Sequence, residues 1–174
     1  MAHPKPRAHR TIFDRSRLEG DDRAAKVQAI PDGYHTVTPY LSIKGAAAAL
    51  DFYRRAFGAQ ELYRLEMPDG RIGHAELQIG SSRLMLADEM PEMPDAITKS
   101  PATLGGTTNG YCLYVEHVDA DFERAVAAGA KVKRAVQNQF YGDRSGTVED
   151  PFGHLWTIST HVEDVSPDEI KKRV

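Results

Sequence analysis

One order of elements occurs twice along this chain, and that repetition constrains the fold more than any other feature. Residues 36–43 alternate apolar and polar with β-branched and aromatic side chains, the pattern of a strand. A helix is expected over residues 46–57. It carries Ala46, Ala49, Leu50, Tyr53 and Phe57 on one face and ends at Gly58. Three strands follow at 61–67, 72–79 and 83–87, separated by the turns Pro68-Asp69-Gly70 and Gly80-Ser81-Ser82. The same order then returns: a strand at 111–115, a helix at 120–128 with Asp119 as N-cap and Gly129 beyond its end, and strands at 132–137, 145–149 and 155–160. Leu41 and Leu113 lie 72 residues apart, and Gly58 and Gly129 lie 71 apart. Two tandem βαβββ modules, an α+β architecture, are the expected fold.

The repeat also sets the domain limits. Residues 1–30 lack strand or helix periodicity, apart from a weak helix signal at 23–29, and read as an extension or arm. A single domain is expected over 31–165, with modules at about 31–89 and 110–165 and a Pro/Gly/Thr-rich connector at 90–109. Ser166-Pro167-Asp168-Glu169 places an N-cap serine, a first-turn proline and an N3 glutamate, so residues 166–174 should hold a short closing helix.

Charge narrows the partners. The first 29 residues carry seven Lys/Arg against four Asp/Glu, whereas the rest carry fifteen against twenty-one. An acidic body of that kind repels nucleic acid and, taken alone, favours a cationic small molecule. No apolar run is long enough to span a bilayer, so no membrane partner is expected. A single cysteine, Cys112, excludes an internal disulfide framework, and the first residues lack a secretory apolar core, which together point to the cytoplasm.

Five segments then look familiar as a set. They are the stretch from Pro31-Asp-Gly-Tyr to Thr38-Pro-Tyr-Leu41, Leu50-Asp-Phe-Tyr-Arg-Arg-Ala-Phe-Gly-Ala59, His74-Ala-Glu-Leu77, Leu113-Tyr-Val-Glu116, and Tyr141-Gly-Asp-Arg through Glu149-Asp-Pro-Phe-Gly-His-Leu-Trp156. In that order, around a repeated βαβββ unit, they resemble the vicinal oxygen chelate superfamily of glyoxalases, bleomycin-resistance proteins and extradiol dioxygenases, and within it the PhnB-like branch. The resemblance implies a curved eight-stranded sheet around an open cleft, commonly completed in a homodimer. It also implies a metal held by one His or Glu from each of four strands.

Alternation tests that metal set. Leu41, Ile43, Leu84, Leu86, Leu113, Val115, Trp156 and Ile158 form the apolar phase that should pack on the helices. Aligned with the pattern of the family the chain resembles, that phase puts Thr38, Met85, Gly110 and Thr157 at the four ligand positions. Glycine offers no side-chain donor, a thioether is a poor ligand for a hard divalent ion, and two threonines do not complete a site. No metal and no other cofactor is therefore expected.

The same alternation turns His74 and Glu76 toward the cleft, with Tyr40, Cys112, Tyr114, Thr147 and Glu149. His74, Glu76 and Glu149 are the candidates for acid/base chemistry. Thr38, Met85 and Thr157 join the remaining polar-face residues as a small-molecule lining. Asp143, Arg144 and the Asp150-Pro-Phe-Gly turn read as structural, as do His35, His117, His154 and His161 at strand ends or turns. The reading that fits best is metal-free binding or sequestration of a small molecule. Its rivals are a lyase, isomerase or dioxygenase using a non-standard metal or acid/base site, and a scaffold with no ligand.

Overall fold

The computed structural model describes residues 27–93 and 97–174. The expected arm at 1–30 therefore lies almost wholly outside the described residues, and of its weak helix only 27–29 is described, without helical structure. Residues 33–174 form one compact unit.

In the first module the strands are β1 (Tyr40–Ile43), β2 (Gln60–Glu66), β3 (Ile72–Ile79) and β4 (Ser82–Asp88), with α1 (Ala46–Phe57) after β1. A short α2 (Pro101–Leu104) lies in the connector. The second module has β5 (Gly110–Tyr114), α3 (Val118–Ala128), β6 (Lys131–Asn138), β7 (Asp143–Glu149) and β8 (Leu155–His161), and α4 (Pro167–Arg173) follows. The eight expected strands are all present, but as two four-stranded sheets and not one continuous sheet. Their orders are β1-β4-β3-β2 and β5-β8-β7-β6, so β1 and β5 are each an edge. Each is parallel to its one neighbour and the other pairs are antiparallel.

The first strand is shorter than expected, since ladder pairing begins at Tyr40, opposite Met85. Pro39 has no N–H to give, and its carbonyl accepts from the Met85 amide at 2.9 Å. Thr38 thus precedes the strand.

The repeat reaches into the way each helix is started. Free N–H groups at a helix start need acceptors. Asp88 Oδ1 accepts from the Gly45 and Ala46 amides at 2.8 and 2.9 Å, and Asp88 Oδ2 accepts from Ile72 at 2.8 Å. Thr160 stands 72 residues later, and its Oγ1 accepts from the Val118 amide at 3.0 Å. The expected cap Asp119 is corrected by this geometry. It sits inside the first turn of α3, paired with Arg144, because the acceptor comes from the neighbouring β8. The missed α2 carries the same serine–proline start that marks α4: Ser100 Oγ accepts from Thr103 and donates to Glu89 at 2.6 Å. At α4, Ser166 Oγ accepts from the Glu169 amide as expected.

The phase of the strands holds. Leu41, Ile43, Leu84, Leu86, Trp156 and Ile158 are buried, and Leu113 and Val115 pack against the same core. One core serves both modules. Trp156 of β8 lies against Tyr53 and Phe57 of α1, with ring centroids 5.5 and 4.7 Å apart. Full burial of such side chains is worth about 2–3 kcal/mol each. The helices also bond to each other's ends: Arg124 Nε donates to the Ala56 carbonyl at 2.9 Å, and Arg55 Nη1 donates to that of Ala128 at 3.2 Å.

Candidate functional site

Helices cover one face of each sheet, and the other face carries the polar side chains that alternation selected. Across the first sheet, register places Tyr40, Met85, Glu76 and Tyr63 in one lateral row. Across the second, the row at the equivalent place is Cys112, Thr157, Thr147 and Arg134. Side chains on one face of adjacent strands stand close enough to bond; in the second row they do so directly, and in the first His74 links Tyr40 to Glu76.

On the first sheet a hydrogen-bonded chain forms. The Tyr40 hydroxyl meets His74 Nδ1 at 3.0 Å, and His74 Nε2 meets Glu76 Oε1 at 3.4 Å. Tyr34 donates its hydroxyl to Glu76 Oε2. That bond is the main reason the Glu76 carboxyl is held below the usual range, with His74 and Arg83 adding to it. Burial is the largest reason that the Tyr34 and Tyr40 phenols titrate above theirs. Phenol, imidazole and carboxylate in series can pass a proton along the face of the sheet.

On the second sheet Thr147 and Thr157 share a hydrogen bond of 3.0 Å. Glu149 stands apart from His74 and Glu76: it belongs to β7, pairs with Lys133 Nζ at 2.9 Å, and lines a separate cavity beside Lys44 and Lys131. The three acid/base candidates thus divide into a bonded pair and a distant third.

A cavity of about 560 Å³ opens between the segment before β1 together with the β3–β4 turn and the start of β4 in the first module, and the β5 edge of the second. Thr38, Cys112 and Tyr114 line it, with Leu84, Leu113 and Trp156 supplying apolar surface. Tyr40, His74, Glu76, Met85, Thr147, Glu149 and Thr157 are outside its lining. Its volume falls in the range of small-molecule sites, roughly 300–1,000 Å³.

Two contributors were missed. Arg83 lines this cavity and could have been found, since it shares the phase of Met85. Asp143 shares the phase of Thr147 and is buried; it accepts from the Tyr114 hydroxyl at 2.8 Å and meets His161 Nδ1 at 2.8 Å. Asp164 meets the other ring nitrogen of His161 at 3.0 Å. Hydrogen bonds first to Asp143 and then to Asp164 raise the His161 pKa above its ordinary 6.5. A raised histidine pKa contributes stability that is fully present below the unfolded value and is lost as pH climbs through the folded one. His161→Gln should therefore cost most below about pH 6 and least above about pH 8. Urea midpoints of both proteins across that range check this, and a gap that stays flat or widens with pH would contradict it.

The residues expected at the four metal positions do not suit a divalent transition metal. Thr38, Met85, Gly110 and Thr157 offer two hydroxyls and a thioether, and their lateral neighbours at β1 and β5 are Tyr40 and Cys112. Among the described residues no three His, Cys, Asp or Glu side chains come together as a metal-holding group.

A paired βαβββ fold with an interstrand cavity defines a class, and comparison with known proteins agrees. The model of the Glyoxalase/Bleomycin resistance protein/Dioxygenase superfamily matches residues 34–158, and this chain belongs to that family. The uncharacterized protein Rv0887c of Mycobacterium tuberculosis (strain H37Rv) is 42% identical over 153 residues, 88% of this chain and 86% of that protein. The crystal structure of TioX from Micromonospora sp. ML1 superposes with a TM-score of 0.56 at 28% identity, covering 74% of this chain and 99% of that one. The PhnB protein of Bacillus cereus shares the fold, with a TM-score of 0.56 at 16% identity over 72% of this chain and 99% of its own. No helix among the described residues is long and apolar enough to cross a membrane.

Proposed function

We propose that this chain is a cytoplasmic, metal-free small-molecule binder, sequestering its ligand in the cavity between the two sheets and acting as a homodimer. The carrying observation is the cavity itself. It combines apolar floor residues with hydroxyl, thiol and phenol groups, and burial plus a few orienting polar contacts is what a small-molecule site requires. The donor set at the metal positions supports the metal-free part. The dimer draws support from apolar side chains left exposed on uncovered strands: Tyr40 is 47% exposed, Tyr63 50% and Tyr114 64%.

Cys112 provides the test. It is exposed, lines the cavity and is the only cysteine of the chain. A compound seated there should slow alkylation of Cys112 by iodoacetamide and raise the apparent Tm of the native protein. A screen of aromatic and glycopeptide antibiotics should yield compounds that do both. Ligands that raise the Tm while leaving the alkylation rate unchanged would place binding elsewhere.

The second reading, acid/base catalysis, is favoured by one observation: the Tyr40–His74–Glu76 chain. It requires turnover that His74→Gln abolishes.

A further inference from the structure

The acidic balance of the body points to a cationic ligand, but the hydrogen-bond inventory around the cavity runs the other way. Glu76 is the carboxylate nearest to Arg83, and it is occupied: one oxygen accepts from Tyr34 and the other faces His74 Nε2. It also stands outside the cavity lining. Glu76 is thus already engaged by a phenol, an imidazole and a guanidinium rather than standing free to pair with an ammonium group in the cavity.

Arg83 is in the opposite state. Its guanidinium lies over the Tyr34 ring, 4.4 Å from the centroid. Its Nε is buried with no partner, and Nη1 forms an ion pair with Glu76 at 3.6 Å, too long for a hydrogen bond. A guanidinium brings five N–H donors, and one that is buried without an acceptor, as the Nε–H is here, is costly until an acceptor arrives. Among the described residues lining the cavity, Arg83 is the sole Lys or Arg, and no Asp or Glu lines it. The site therefore has one fixed positive charge beside apolar and aromatic walls.

We propose that the cavity takes a ligand with an aromatic or aliphatic body and one carboxylate-like anionic group, the anion held by Arg83 and the body by Leu84, Leu113 and Trp156. Planar, charge-assisted pairing of this kind is what a guanidinium does better than an ammonium. The proposal rests on the reading of this cavity as the small-molecule site.

Three probes of one shape separate the possibilities: naphthoate, naphthalenemethanol and naphthylmethylammonium, titrated calorimetrically into the full chain, with Cys112 alkylation followed in parallel. Naphthoate should bind about tenfold more tightly than the alcohol or better, as expected for a hydrogen bond to a charged group, and the ammonium should bind most weakly. In Arg83→Met the carboxylate advantage should vanish while affinity for the alcohol stays. Arg83→Lys, which keeps the charge and the packing stem, should retain part of the advantage and guards against a folding defect in the first variant. Alcohol or ammonium binding as tightly as naphthoate, or an advantage that survives Arg83→Met, would overturn the assignment of the anion while leaving the cavity reading in place. If no probe binds or slows alkylation, both the anion and the cavity reading fall.

Discussion

Replacing Asp150 with alanine should lower the stability of this protein by about 4 kcal/mol, because the change strips the acceptor from several buried donors at once. Asp150 is 2% exposed. Its Oδ1 accepts from the Phe152 and His154 amides, both at 2.9 Å. Its Oδ2 accepts from the Tyr53 hydroxyl at 2.8 Å and from the Trp156 indole at 3.0 Å. Tyr53 belongs to α1 and Trp156 to β8, so the carboxylate ties the first module to the second as well as shaping its own turn. Asp150→Asn keeps an acceptor for one pair of donors and should lose less. Urea unfolding is the measurement: the midpoint should fall with little change in slope. A loss below about 1 kcal/mol for the alanine variant would mean that the donors find other partners, contrary to this account.

The second large effect is expected at Gly142. Its φ is +102°, a conformation that costs a residue with a Cβ about 1–2 kcal/mol. The greater obstacle is space, for a Cβ built there would lie 2.0 Å from the Glu163 carbonyl oxygen. The Gly142 carbonyl also accepts from the Val162 and Glu163 amides, both at 2.9 Å, pinning the chain after β8 to the turn before β7. Gly142→Ala should therefore cost about 3 kcal/mol, the strain and the forced backbone shift together. It should also loosen α4, whose Arg173 holds Glu163 in a two-pronged ion pair. Amide exchange at the Val162 and Glu163 N–H groups would report the loss directly, and protection as strong as in the parent would argue against this geometry.

Much of the architecture could be read from periodicity because burial in this fold is set strand by strand. In β3, Ala75, Leu77 and Ile79 are buried while His74, Glu76 and Gln78 stand between buried and exposed, the alternation that the sequence shows. The helix α1 ends where Gly58 placed its end. What periodicity could not supply was any partner distant in the chain. Asp119 has the right chemistry for a cap, but the acceptor for the start of α3 is Thr160, brought alongside only when β8 pairs with β5. The Asp88–Thr160 equivalence was available from the repeat offset, yet nothing local marks either residue as a cap. Division of the strands into two sheets likewise depends on β1 and β5 each pairing on one side only, not on the pattern within either strand.

The candidate site was legible in part for the same reason. Alternation identifies which side chains share a face, so His74 and Glu76 emerged together, with Tyr40 beside them. It does not say which sheet neighbours which, so Glu149 was grouped with a pair from which the structure separates it. Arg83 was visible in the phase of Met85, but its importance comes from acceptors that are missing around it, a property of the folded surroundings alone.

Metal analysis of the full chain, purified without chelator and then loaded with Fe, Ni, Zn or Mn and desalted, decides whether the cleft is metal-free. Far less than one tightly held ion per chain is expected, since Thr38, Met85, Gly110 and Thr157 together offer two hydroxyls, a thioether and, at the glycine, no donor at all. Retention of one ion per chain, released by Glu76→Gln or His74→Gln, would contradict that expectation and move the protein to the metal-using members of its family.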